Sequence, residues 1–134
     1  MSDQKHVFEY NNYPIVPIKF SYENHKTPSI EALLDSGGDF IVIPMPIAKY
    51  LGLKLKKAGT VDTAGGATKL FKANLTLQIG EKNQVDTYTN LQIHVSGRND
   101  IPVLLGRYPI FEDYEITFKK QKNELTLKPI NEHK

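Results

Sequence analysis

The chain has 134 residues, 40% of them apolar and 24% charged, with a formal charge of +2 and no cysteine. That length suits one domain with a core of its own, and the composition is that of an ordinary globular protein. The near-balance of charge gives no sign of a nucleic-acid or membrane-surface partner, and the lack of cysteine excludes disulfides, thiol catalysis and cysteine-ligated metals.

Residues 1–13 read as a polar N-terminal segment, frayed or loosely docked. Met1 to His6 lack the apolar run of a secretion signal, and no stretch approaches the ~18 apolar residues of a membrane span, so the expectation is a soluble, cytoplasmic chain. From Ile15 to Tyr22 the residues Ile18, Phe20 and Tyr22 alternate as in a half-buried strand. Asn24 to Pro28 reads as a turn and Ile30 to Asp35 as the returning strand. Phe40 to Ile43 is short, rich in β-branched residues and bounded by glycine and proline, which predicts a buried strand. Pro46 fits the first turn of a helix and Gly52 its end, so a short helix is expected over Ile47 to Leu51.

A long hairpin follows. Gly59 to Thr63 leads out, Ala64-Gly65-Gly66-Ala67 turns, and Leu70, Phe71, Leu75, Leu77 and Ile79 lead back, with the glycines able to adopt the positive φ of a tight tip. Strands are expected at Asp86 to Val95 and Ile101 to Leu105, and a helical turn within Tyr108 to Tyr114 that Pro109 would start. Glu115 to Phe118 and Glu124 to Leu127 form a last hairpin across the lysine-rich turn Lys119 to Asn123. The pattern is that of one mostly-β domain over residues 14–130, with a C-terminal tail at 131–134.

Asp35-Ser36-Gly37 breaks this apolar patterning. It lies between Ala32-Leu33-Leu34 and Phe40-Ile41-Val42-Ile43-Pro44, and a carboxylate delivered into such surroundings is costly unless it is paired or hydrogen-bonded. Such a strand end presents its aspartate for chemistry. Downstream, Val103-Leu104-Leu105-Gly106-Arg107 is a second aliphatic run that ends on glycine.

Leu33 to Gly37 together with Leu104 to Arg107 resemble the two motifs of the retropepsin-like aspartic proteases, in the same order, and the likeness extends over residues 14–129. The resemblance implies a closed β-barrel with a flap hairpin and one or two short helices. It implies an aspartic endopeptidase, a homodimer in which Asp35 of each subunit supplies one of two catalytic carboxylates. Two such groups share a proton, so that one activates water while the other donates to the scissile carbonyl. The chain has one convincing motif of this kind; Asp62-Thr63-Ala64 lacks both the glycine and the aliphatic run and is placed on the hairpin. By the same resemblance Ser36 would bond across the dimer, and Gly37 would let the loops approach. Asp39 would pair with Arg107 beside Gly106, and Ala64, Gly65 and Gly66 would form the flap over an extended peptide. Gly38 departs from the alanine or serine common in the family. The dimer interface is expected to contain the Asp35 loops and strands near the termini, including Glu124 to Leu127.

No cofactor or metal is implied. His6, His25, His94 and His133 have no metal-ligand spacing and read as surface or terminal residues. The alternative from another functional class is a non-catalytic module that uses the same fold for dimerisation or peptide binding, since a fold does not guarantee an activity.

Overall fold

The computed structural model describes residues 4–63 and 66–130. Its centre is a barrel built from β2 (Ile15–Tyr22), β4 (Ile30–Leu34), β5 (Val42–Pro44), β7 (Gly66–Glu81), β8 (Gln84–Ser96) and β9 (Val103–Leu105). The strands follow the order β2-β4-β9-β5-β8-β7, and a further pairing of β2 with β7 closes the ring. Ile18, Phe20, Leu77, Ile79, Ile93 and Val95 fill it, each from the inward-facing half of an alternating strand. Two edge strands extend the sheet: β3 (His25–Lys26) beyond β2, and β6 (Lys56–Thr63) beyond β7. The mostly-β barrel expected from the sequence is therefore the observed fold. No helix among the described residues is long and apolar enough to cross a membrane.

Helix α1 (Met45–Leu51) begins two residues earlier than the sequence suggests. Pro44 stands at its N-cap with extended backbone and Pro46 lies in its first turn, where a missing N–H leaves no bond unmade. Gly52 ends it in the left-handed conformation (φ 70°), donating its N–H to Lys49 and burying Ala48 and Leu51 behind it. Phe40, expected in a buried strand, lies outside β5 and is 42% exposed. After β9 a helical turn spans Arg107–Phe111; Tyr108 within it keeps an extended backbone (φ −101°, ψ 128°), the conformation favoured before a proline.

A second, three-stranded sheet has the order β1 (His6–Glu9), β11 (Glu124–Pro129), β10 (Tyr114–Lys119). One expectation is corrected by it. Residues 1–13 are not uniformly loose, because His6–Glu9 pairs antiparallel with Glu124–Leu127. The sequence hid this strand because its polarity is inverted: His6 is buried while Val7 faces solvent. His6 is thus neither surface-lying nor frayed, and its Nε2 bonds the Asp86 carboxylate at 3.0 Å. β11 is paired on both edges within the chain, and Leu125 and Leu127 are fully buried. The outer edges of this sheet therefore belong to β1 and β10.

Candidate active site

The site grows from two parallel neighbours. β4 and β9 run side by side with Leu33 opposite Leu104 and Leu34 opposite Leu105, so both motifs end at the same level of the barrel. The Asp35 N–H continues the ladder by donating to the Leu105 carbonyl at 2.9 Å. Beyond it the chain turns on itself. Gly37 donates its N–H to Asp35 Oδ1 at 3.1 Å, and Gly38 donates to the Asp35 carbonyl at 3.1 Å. A half-buried carboxylate is thereby fixed by its own loop, while Ser36 and Gly37 stand exposed at the tip.

The second motif buttresses this loop. Arg107 donates its N–H to the Gly38 carbonyl at 2.8 Å, and Tyr108 donates to the Asp39 carbonyl at 2.9 Å. Gly106 is pressed so closely beneath that a Cβ there would lie 2.3 Å from the Phe40 carbonyl oxygen and 2.7 Å from its nitrogen. Because those atoms are backbone, Gly106→Ala must displace the loop that carries Asp35. We expect a loss of at least ~1–3 kcal/mol, the range of overpacking, visible as an earlier denaturation midpoint; a variant as stable as the parent would contradict so close an approach. At Gly38 a Cβ would sit 3.1 Å from Asp35 Oδ2, so glycine here leaves the carboxylate room.

The Arg107 guanidinium donates to the Asp39 carboxylate, joining the two motifs by side chains as well. Their side chains are 57% and 68% exposed, which places the pair among surface ion pairs rather than buried ones. Arg107→Ala is therefore expected to cost only ~0–1 kcal/mol of folding stability. A loss above 3 kcal/mol in urea denaturation would mean that the pair is far better shielded than its exposure indicates.

Asp35 opens on a cleft of about 410 Å³ whose apolar lining includes Phe40, Val42, Val61, Leu70, Ile101 and Leu104, within the ~300–1,000 Å³ typical of ligand pockets. Val61 and Thr68 come from the two arms of the β6–β7 hairpin, which therefore borders the cleft. Of the expected flap residues, Gly66 opens β7, whereas Ala64 and Gly65 lie outside the described residues. His94 also lines the cleft, edge-on to Phe40 at 4.9 Å between ring centroids. Desolvation, and then the charge of Lys72, hold its imidazole below the ordinary range. Reading His94 as a plain surface residue missed this position. The signal was present in β8, where Ile93 and Val95 face the core and the residue between them must face the other way.

The comparisons agree with this fold. A family model described as aspartyl protease matches residues 18–108. A retropepsin-like aspartic protease from Rickettsia conorii superposes with a TM-score of 0.67 at 22% identity, over 94% of this chain and 100% of that one. The EIAV protease in complex with the inhibitor HBY-793 gives 0.55 at 16% identity, over 78% and 91% of the two chains. The retroviral protease-like domain of Ddi1 from Leishmania major gives 0.57 at 11% identity, over 89% and 94%. A search of the curated proteins finds no match.

Proposed function

The chain belongs to the aspartyl protease family, and from that premise we propose that it is a homodimeric aspartic endopeptidase acting on extended peptide segments without a cofactor. Two Asp35 carboxylates, one from each subunit, hold a water between them. One takes its proton as the water attacks the scissile carbonyl, and the other donates a proton to the developing oxyanion. Two like charges at such range cannot both ionise readily, so the working pair carries one shared proton.

The observation that carries this reading is the half-buried Asp35 carboxylate, gripped by the Gly37 N–H and facing an apolar cleft at the meeting point of both motifs. A barrel that holds one such loop needs a second copy to complete a dyad. The exposed Ser36 and Gly37 suit a loop that meets its symmetry mate, with Ser36 bonding across and Gly37 permitting the approach. Asp39, Gly106 and Arg107 hold the loop from behind. The expected flap residues Ala64, Gly65 and Gly66 supply backbone bonds to the peptide, as a strand added to an edge does. The contact between subunits includes the Asp35 loops and strands near the termini.

Sedimentation of the purified chain at micromolar concentration should reveal a dimer, and incubation with a diverse peptide mixture from acid to neutral pH should yield internal cleavage. A strictly monomeric protein that cleaves peptides would overturn the mechanism. A dimer that binds peptides yet cleaves none would assign the fold to a non-catalytic binding module.

A further inference from the structure

The face of the sheet that borders Asp35 does not end at the cleft. Along β7, Thr68, Leu70, Lys72 and Asn74 alternate onto one side, and along β8 the matching residues are Ser96, His94 and Gln92. The register sets these side by side: Leu70 opposite Ser96, Lys72 opposite His94 and Asn74 opposite Gln92. Thr68, Leu70, Ser96 and His94 line the cleft, whereas Lys72, Asn74 and Gln92 line an adjoining groove of about 500 Å³. The edge strand joins in. Val61 pairs with Thr68 beside the cleft, and an irregularity between Lys57 and Gly59 brings Lys56 opposite Lys72 in the groove.

This groove is cationic. Lys54, Lys56 and Lys72 line it with the amides of Asn74, Asn90 and Gln92, and no acidic side chain among the described residues does so. None of the three lysines has an ion-pair partner among the described residues. Like charges directly opposite one another on neighbouring strands are destabilising, so the Lys56–Lys72 register works against the sheet unless an anion lies between them. Lysine on an edge strand commonly guards against unwanted pairing, which accounts for Lys56 but not for Lys72 on the interior strand β7.

We propose that this groove is an extension of the substrate site that recognises acidic residues in the peptide. The inference rests on the protease reading above. Successive outward-facing positions on a strand are ~7 Å apart, about the length of two extended residues. A peptide that seats an apolar side chain beside Asp35 thus brings an Asp or Glu two to four residues away against Lys56 and Lys72. In a two-fold dimer one groove faces each end of the peptide, so an acid on either side of the scissile bond is recognised.

Two measurements test this. With peptides that share an apolar centre and carry either Glu or Gln at positions two to four residues to each side, kcat/KM should favour the acidic member by about three- to tenfold at low salt. Near 1 M salt, where charges are screened beyond ~3 Å, the preference should collapse. Lys56→Gln with Lys72→Gln should bring the ratio to about one, and Lys82→Gln, on the distant β7–β8 turn, should leave it intact. The same ratio is then read by fluorescence anisotropy on the Asp35→Asn protein, which binds without cleaving. Tighter binding of the acidic peptide, lost with the two lysines, supports the groove even where the parent cleaves nothing, and that result counts against the protease reading alone. Equal binding and equal cleavage of both peptides, or a preference that survives removal of both lysines, overturns the proposal.

Discussion

The Asp35→Asn protein is expected to lose peptide cleavage while keeping its fold. The substitution changes shape very little, and an amide oxygen accepts the Gly37 N–H as the carboxylate oxygen does. The backbone bonds from Asp35 to Leu105 and from Arg107 to Gly38 involve no side chain and stay in place. What disappears is the acid–base function of the proposed dyad. An amide neither takes a proton from water nor passes one on, so the loss is of the general acid–base kind, about 10²–10⁴-fold or greater in kcat. On the dyad proposed above, activity in the parent needs one proton shared between two carboxylates, and it should follow a bell in pH. It falls on the acid side when both groups are protonated and on the alkaline side when both are ionised. The two limbs belong to the coupled pair rather than to either residue. Parent and variant prepared identically, compared on one fluorogenic peptide from acid to neutral pH, give the answer. Equal rates in the two would mean that the observed proteolysis comes from a contaminant or from another site.

Much of this was legible in the sequence because the informative residues break a local rule. An aspartate at the end of an aliphatic strand and a glycine-arginine at the end of another stand out against alternating patterns, and the barrel brings those two strand ends together. The turn residues and the period-2 patterning likewise located most strands and the helix. What escaped has a common cause. Period-2 reading assumes that the apolar side faces inward, and β1 reverses it, with His6 inside and Val7 outside. Burial there is decided by Asp86, 80 residues away, which no local pattern can signal. The second pairing of β11 is equally non-local: its hairpin arm β10 was legible, but its other partner, β1, comes from the far end of the chain. The alignment of Lys56 with Lys72 depends on register, and that register is shifted by the irregularity near Gly59.

The second large effect lies away from the cleft. Asp86→Ala is expected to destabilise the fold by ~2–5 kcal/mol, because it would take the carboxylate acceptor from two buried hydrogen-bonding groups, at about 1–3 kcal/mol each. Asp86 Oδ2 receives the Tyr114 hydroxyl and bonds His6 Nε2, and the side chains of Asp86 and His6 are 0% and 1% exposed. Those three residues sit on β8, β10 and β1, so the carboxylate fastens the three-stranded sheet to the barrel. The surroundings are shaped to receive them. His6 stacks on Phe8 at 5.8 Å, and a Cβ at Gly80 would come within 3.0 Å of the imidazole. Beside them the Tyr88 hydroxyl donates to Asp113 at 2.7 Å. Burial first, and then the bonded carboxylate, push both tyrosine hydroxyls far above their ordinary range, so they remain donors through neutral and alkaline pH. Since domain stability totals only ~5–15 kcal/mol, the loss should move the urea midpoint by about 1 M or more. Asp86→Asn, which retains one acceptor oxygen, should cost less than Asp86→Ala. Hydrogen exchange should then locate the damage, with amides of β1 and its β11 partner exchanging faster before the barrel does. A midpoint that stays within 0.3 M of the parent, or exchange that quickens evenly across the barrel, would show that Asp86 is not what joins the two sheets.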